Sequence, residues 1–220
     1  MSNKDPEIKL ILLGESGVGK TSLIKRITDQ DFNENEASSL SMTYTLKEIV
    51  KNHRTIKLNI WDTIGQEQYR SIAKLFLNDT KIVILVYSIL SERTFKELDY
   101  WYNLCVENLG PNLTLGIIGN KADLFLDQKV TEEEGKEYAD KHKALFGLFS
   151  AKDEGYKGQI NIYVNELLKR YLIKEDPTFQ DNEEDNNNNI KLDSKNSNKL
   201  KAKAGCCAGR KKKISQQKDE

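Results

Sequence analysis

The chain has 220 residues, with 34 lysines and arginines against 34 aspartates and glutamates, so its formal net charge at pH 7 is zero. This length can hold one sizeable hydrophobic core or two small ones. The balanced charge gives no overall positive field, which argues against a nucleic-acid partner. No run approaches the ~18 apolar residues of a membrane-spanning helix, and the N-terminus lacks a signal-peptide pattern, so we expect a cytoplasmic protein.

Hydrophobic periodicity predicts strands and helices in alternation along the first 175 residues. This order is typical of an α/β fold, a single doubly wound and mostly parallel six-stranded sheet with helices on both faces. The predicted strands are Ile8–Leu13, Thr43–Val50, Thr55–Trp61, Ile82–Tyr87, Leu113–Ile118 and Leu145–Ser150. The predicted helices are Lys20–Thr28, Gln68–Leu77, Ser91–Leu109, Glu132–Lys143 and Gln159–Ile173.

The composition changes near residue 175, which predicts a domain over residues 1–175 and a disordered tail over residues 176–220. Residues 181–189 read DNEEDNNNN, which is acidic and rich in asparagine. Residues 190–220 then carry ten lysines and arginines against three acids, a local charge of +7.

Three cysteines and two histidines give no metal or disulfide framework. Cys105 falls in an apolar helical pattern and is predicted to be a core residue, whereas His53 and His142 are predicted at the surface.

The first predicted strand leads into G-E-S-G-V-G-K-T, which matches the phosphate-loop pattern G-x-x-x-x-G-K-[ST] in its required place between a strand and a helix. Glycines let successive backbone N–H groups curl around an anion, and the helix N-terminus adds partial positive charge. Lys20 is predicted to reach the β- and γ-phosphates, and the Thr21 hydroxyl to ligate Mg²⁺. The predicted phosphate-site residues are Gly14, Glu15, Ser16, Gly17, Val18, Gly19, Lys20, Thr21 and Ser22.

Two later strand ends indicate the base, because a phosphate loop alone leaves kinases, ATPases and GTPases open. Asn120-Lys121-Ala122-Asp123 follows the fifth predicted strand, and Ser150-Ala151-Lys152 closes the sixth. A carboxylate at Asp123 can accept hydrogen bonds from both N1–H and the exocyclic amine of guanine, and adenine has no such pair of donors. A site built to bind a donor rejects an analogue that lacks it. The pattern therefore favours a guanine nucleotide and disfavours an ATP-using kinase.

Four segments of this chain resemble, in order and in spacing, the motifs of small GTPases of the Ras superfamily. They are Gly14–Thr21, Asp62–Gln66, Asn120–Asp123 and Ser150–Lys152. Within that superfamily the sequence is similar to Rab proteins, on the stretches Lys57–Trp61, Gln68–Ile72 and Ile82–Ser88. The resemblance covers about residues 7–174.

The resemblance implies roles at matching positions. Asp62 would hold Mg²⁺ through water, Gly65 would meet the γ-phosphate, and Gln66 would be the catalytic residue that orients the attacking water. Ser39 stands where a threonine usually ligates Mg²⁺, and Phe32 would stack near the guanine edge. Asn120 and Asp123 would recognise the guanine base, and Lys121 would pack beside it. The Ala151 N–H would donate to the guanine O6. Ser150 and Lys152 complete the predicted nucleotide site.

The resemblance also implies partners and a location. A guanine nucleotide exchange factor, a GTPase-activating protein and effectors would bind the two switch segments, which change with the nucleotide. A Rab-like protein would regulate vesicle and membrane traffic from the cytosolic face of an intracellular membrane.

Two functions stay open because of departures from the family pattern. Ile64 stands where a small alanine is usual, and Ser41 where glycine is usual. A working GTPase switch with slow intrinsic hydrolysis is the first function, and an interaction module that holds GTP or GDP without efficient cycling is the second.

The paired cysteines Cys206 and Cys207 are candidate lipidation sites. Rab-like proteins often carry geranylgeranyl groups on such a pair, but here thirteen residues follow it, whereas prenylation signals usually end the chain. Prenylation, palmitoylation and an unmodified soluble tail are the three alternatives. A lipidated tail would attach the domain to a membrane.

Overall fold

The computed structural model describes residues 6–30, 43–52, 54–63 and 74–179. Six strands lie in these ranges: β1 (Glu7–Leu13), β2 (Thr43–Lys51), β3 (Arg54–Asp62), β4 (Thr80–Ser88), β5 (Thr114–Asn120) and β6 (Leu145–Leu148). The α-helices are α1 (Lys20–Ile27), α2 (Glu92–Lys96), α3 (Leu98–Leu109), α4 (Glu132–Lys141) and α5 (Lys157–Glu175). Short 3₁₀ segments span Ala122–Asp127 and Glu154–Tyr156.

All six strands form one sheet in the order β2-β3-β1-β4-β5-β6. β2 and β3 pair antiparallel as a hairpin, and the other four pairings are parallel. The predicted α/β fold, mostly parallel and six-stranded, is confirmed.

Helices pack on both faces because alternate side chains of the central strands point in opposite directions. On β1, Leu10 and Leu12 belong to a core shared with α1 and α5. Ile11 and Leu13 belong to a second core shared with α3 and α4. Strands covered on both sides read as continuous apolar runs, which is why β1, β4 and β5 could be predicted from the sequence.

The predicted helix Ser91–Leu109 is wrong in one respect, since it is two helices. The Ser91 hydroxyl caps the first helix by accepting from the Thr94 N–H. At Glu97 the backbone has ψ −8°, well away from the ~−42° of an α-helix, and α3 starts at the next residue. Gly110, at φ +83°, ends α3.

Other predicted bounds differ by a few residues at element ends. β6 stops at Leu148 rather than Ser150, α4 stops at Lys141, and α5 runs from Lys157 to Glu175. Of the predicted helix Gln68–Leu77, only Lys74–Phe76 is described as helical, and residues 64–73 lie outside the described ranges. Within the described ranges, none of the helices has the length and apolar content that crossing a bilayer requires.

The parallel strands β1, β3, β4, β5 and β6 all end at the same edge of the sheet. Gly14 follows β1, Asp62 ends β3, Asn120 ends β5 and Ser150 comes two residues after β6. In an open α/β sheet this edge is where ligands bind.

Candidate functional site

The loop between β1 and α1 requires glycine at two positions, for reasons of space and backbone angle. Gly14 has φ +145°, and a Cβ there would lie 2.2 Å from the Val86 carbonyl oxygen. Gly19 has φ +95°, and a Cβ there would lie 2.3 Å from the Asn120 Nδ2. The loop is thus pressed against β4 on one side and against Asn120 on the other.

Lys20 begins α1 and is buried beneath this loop. Its ammonium donates to the carbonyl oxygens of Gly14 and Glu15, both at 2.9 Å. Burial lowers the pKa of Lys20 to about 8, and the charges of Asp62 and Glu15 act in the opposite direction. An anion bound in the loop would favour the ammonium form further, so the position suits a phosphate.

Thr21 and Asp62 meet across 41 residues of sequence. The Thr21 hydroxyl donates to Asp62 Oδ2 at 2.6 Å, and the Asp62 side chain is buried at the end of β3. A hydroxyl and a carboxylate beside a phosphate loop are the hard oxygen donors that Mg²⁺ prefers, so the donor set fits that ion. The described residues contain no cluster of three or more His, Cys, Asp or Glu suited to a metal. Any Mg²⁺ here would need phosphate or water oxygens to complete its coordination.

The Asn120 side chain joins two loops. Its Nδ2 donates to the Val18 carbonyl of the phosphate loop at 2.7 Å, and its Oδ1 accepts from the Ala151 N–H at 3.1 Å. Asn120 is 2% exposed, so both bonds are sheltered from water. One amide therefore sets the spacing between the phosphate loop and the loop after β6.

A second network orders the loop after β6 around Ser150. The Ser150 hydroxyl donates to Asp123 Oδ1 at 2.6 Å and accepts from the N–H groups of Lys152 and Asp153. Lys121 has φ +70°, which turns the chain sharply between Asn120 and Asp123. Two sequence-distant segments thus present an amide, a carboxylate and a backbone N–H in one place.

Comparison with known proteins agrees with this geometry. A model of the Ras family matches residues 9–170. The Ras-related protein Rab-11A of Dictyostelium discoideum is 32% identical over 203 residues, which cover 90% of this chain and 94% of that protein. The chain belongs to the Ras family. It is a Rab-like member of the Ras superfamily, whose proteins are nucleotide-binding GTPases.

Several residues predicted for this Ras-family site lie outside the described ranges. They are Phe32, Ser39, Gly65 and Gln66, together with Ser41, Ile64 and the tail cysteines Cys206 and Cys207. The other predicted residues lie in the loop after β1, at the start of α1, at the ends of β3 and β5, and in the loops after β5 and β6. Ser16 and Ser22 are half-buried, and Gly17 is exposed at the loop tip.

Sequence reasoning missed how Glu15 is held. Its carboxylate is fully buried, accepts from the Trp101 indole N–H at 3.3 Å and lies 3.7 Å from an Arg93 nitrogen. A buried carboxylate in a phosphate loop requires a hydrogen-bond donor from another part of the fold, but the sequence does not identify that donor.

Sequence reasoning also missed Arg26, which is 2% exposed in the last turn of α1. The sequence pattern could have indicated a buried Arg26, because the residue lies three positions after Leu23 and therefore on the apolar face of the helix. Arg26 contacts the loop after β6.

Proposed function

We propose that this Ras-family protein is a molecular switch that binds GTP and GDP with Mg²⁺, hydrolyses GTP and regulates membrane traffic as a Rab-like protein. The observation that carries the proposal is the Asn120 side chain, which bridges the phosphate loop and the loop after β6. Together with the bond from Ser150 to Asp123, this bridge supports one nucleotide that spans the phosphate loop and the Asp123 carboxylate.

At the phosphate end, the proposed roles follow from the donors present. Lys20 would bind the β- and γ-phosphates, and the Thr21 hydroxyl, which donates to Asp62 in the structure, would be a ligand of Mg²⁺. Asp62 would hold the metal through water. Bound Mg²⁺ supplies positive charge beside the phosphate oxygens that become more negative during hydrolysis.

At the base end, Asp123 accepts from the two guanine donors, and Ser150 keeps the carboxylate oriented. Lys121 covers the base plane. The Ala151 N–H, which contacts Asn120 Oδ1, provides the donor for guanine O6. Phe32 stacks at the edge of the base.

The base assignment is tested by nucleotide competition. We expect GTP and GDP to displace a fluorescent GDP analogue and ATP to fail, because adenine cannot supply the two donors that Asp123 requires. Asp123→Asn should weaken guanine binding and favour xanthine, whose C2 carbonyl cannot donate. Asp127→Asn is the matched control, since Asp127 is an exposed carboxylate in the same 3₁₀ segment. Equal competition by ATP on the unmodified protein would refute the assignment.

The metal assignment is tested by chelation. Removing Mg²⁺ should speed GDP release from the unmodified protein and have little further effect on Thr21→Ala, which lacks the ligating hydroxyl. Thr21→Ser keeps a hydroxyl and should respond like the unmodified protein. An equal response of Thr21→Ala would remove Thr21 from the proposed metal site.

For hydrolysis, we propose that Gln66 orients the attacking water, Gly65 meets the γ-phosphate, and Ser39 and Thr21 complete the metal ligands. Ile64 adds three carbons to the usual alanine beside these groups, and positioning provides nearly all of the catalysis in phosphoryl transfer. We therefore expect slow intrinsic hydrolysis. Ile64→Ala should be about tenfold faster in single-turnover GTP hydrolysis, which corresponds to about 1.4 kcal/mol.

That measurement also separates the two candidate functions. Slow but measurable hydrolysis that rises in Ile64→Ala supports the switch. An absence of turnover in both proteins, with GTP still bound, supports an interaction module that does not cycle. Equal hydrolysis rates for the unmodified protein and Ile64→Ala would show that Ile64 packs without any effect on catalysis.

The partners follow from the switch proposal. Exchange factors, activating proteins and effectors bind through the two switch segments that the family resemblance implies. Lipidation at Cys206 or Cys207, with the basic residues Arg210–Lys213, attaches the protein to the cytosolic face of an intracellular membrane. Intact-mass spectrometry on protein from native cells tests this, and unmodified cysteines would leave a soluble basic tail.

A further inference from the structure

Arg26 connects the phosphate-binding helix with the loop that follows β6. Its Nε donates to the Ala151 carbonyl at 2.7 Å, and its Nη2 donates to the Lys152 carbonyl at 3.1 Å. Its Nη1 donates to the Glu154 carboxylate at 2.7 Å. Three nitrogens of one guanidinium thus hold three residues of a single loop.

The environment of Arg26 argues against a role in solubility or packing alone. The side chain is 3% exposed, whereas that of Glu154 is 76% exposed. Burying a guanidinium is costly unless its donors are paired, and an apolar side chain would fill the same space without that cost. A planar set of directed donors is suited to fixing the orientation of backbone carbonyls.

Ala151 is the point where this contact reaches the nucleotide site. Its carbonyl accepts from Arg26, and its N–H donates to Asn120 Oδ1. With both backbone groups of one residue held, the peptide planes on either side of Ala151 cannot rotate freely. Asn120 holds the peptide that carries the Ala151 N–H, and Arg26 holds the peptide that follows it.

We propose that Arg26 is a positioning residue for guanine recognition, because it fixes the backbone directly after Ala151, whose N–H is then shared between Asn120 Oδ1 and the oxygen at C6 of the base. This inference rests on the proposed guanine-nucleotide function. Lys20 and Arg26 lie at opposite ends of α1, about 9 Å apart along a helix that rises 1.5 Å per residue. One short helix thus binds phosphate at its start and orders the base-binding loop at its end.

The test compares three nucleotides on four proteins, with ADP as a fourth nucleotide on the unmodified protein. GDP offers an oxygen at C6, 6-thioguanosine diphosphate offers sulfur, a weaker acceptor, and inosine diphosphate lacks the amine that Asp123 reads. The proteins are the unmodified chain, Arg26→Met, Arg26→Lys and Glu154→Gln. Affinities come from competition with a fluorescent GDP analogue, and circular dichroism checks folding.

Arg26→Met should bind GDP about tenfold more weakly, the effect of one charge-assisted hydrogen bond, and should lose most of its preference for GDP over 6-thioguanosine diphosphate. Its preference for GDP over inosine diphosphate should stay unchanged, since Ser150 still orients Asp123. Arg26→Lys keeps the charge but lacks the planar fork, so it should lie between the two. Glu154→Gln keeps both carbonyl bonds and should change GDP affinity less than about twofold, as for an exposed ion pair.

An unchanged preference between the oxygen and sulfur nucleotides in Arg26→Met would overturn the proposal, because a merely structural arginine would weaken all three nucleotides equally. If Arg26→Met does not fold, the same ratio in Arg26→Lys decides. Failure of the unmodified protein to prefer GDP over ADP would instead overturn the guanine function itself.

Discussion

Replacing Gly19 with alanine should disrupt the nucleotide site through Asn120. The added Cβ would lie 2.3 Å from Asn120 Nδ2, a distance that atoms cannot keep, so the amide must move. Moving it breaks the bonds to the Val18 carbonyl and from the Ala151 N–H. Each bond contributes about 1 kcal/mol net, and alanine at a left-handed φ costs about 1 kcal/mol.

The combined loss is about 3 kcal/mol, which predicts about a 100-fold weaker affinity for GDP. Equilibrium titration with a fluorescent GDP analogue measures it. Gly17→Ala is the matched control, because Gly17 also has positive φ but an added Cβ there meets nothing within 4 Å. It should lose only the ~1 kcal/mol of the backbone angle. If the two variants lost affinity equally, the collision with Asn120 would not be the cause.

Three further predictions concern titratable groups that are buried or half-buried. Tyr87→Phe should raise the free energy of unfolding by about 1 kcal/mol in chemical denaturation, because the fully buried Tyr87 hydroxyl has no hydrogen-bond partner among the described residues. GDP affinity should be constant below about pH 8 and fall above it, because phosphate binding requires the Lys20 ammonium. In the nucleotide-free protein, burial lowers the pKa of Lys20 to about 8. Unfolding free energy should fall as the pH drops below 6.5, because burial lowers the pKa of His142 and protonation therefore favours the unfolded chain.

Each of the three has a control in the same chain. Tyr163→Phe should destabilise by about 1 kcal/mol, since that hydroxyl donates to the carbonyls of Ile117 and Leu145. Equal effects of the two tyrosine substitutions would contradict the reasoning. Lys20→Arg stays charged and should remove the fall in affinity at high pH. His142→Gln should flatten the stability profile between pH 7.5 and about 5.5, and an unchanged slope would assign it to another group.

The sequence by itself predicted the succession of strands and the two segments that we propose bind phosphate and base. Each is a contiguous run whose chemistry depends on neighbours within a few residues, such as Gly19 before Lys20 or Asp123 three residues after Asn120. Continuous apolar runs predicted the central strands, because such strands are covered by helices on both faces. Cys105 was correctly predicted as core, because it lies in an apolar helical pattern.

Only the tertiary structure decided which of these segments touch. Asn120 reaches Val18 across 102 residues and Arg26 reaches Ala151 across 125, contacts that exist because β1, β4, β5 and β6 lie side by side. His142, predicted at the surface, is instead half-buried between the rings of Tyr102 and Tyr138. Periodicity reports which face of an element is apolar, but the partner across that face depends on the order in which the strands assemble, and no local pattern carries that order.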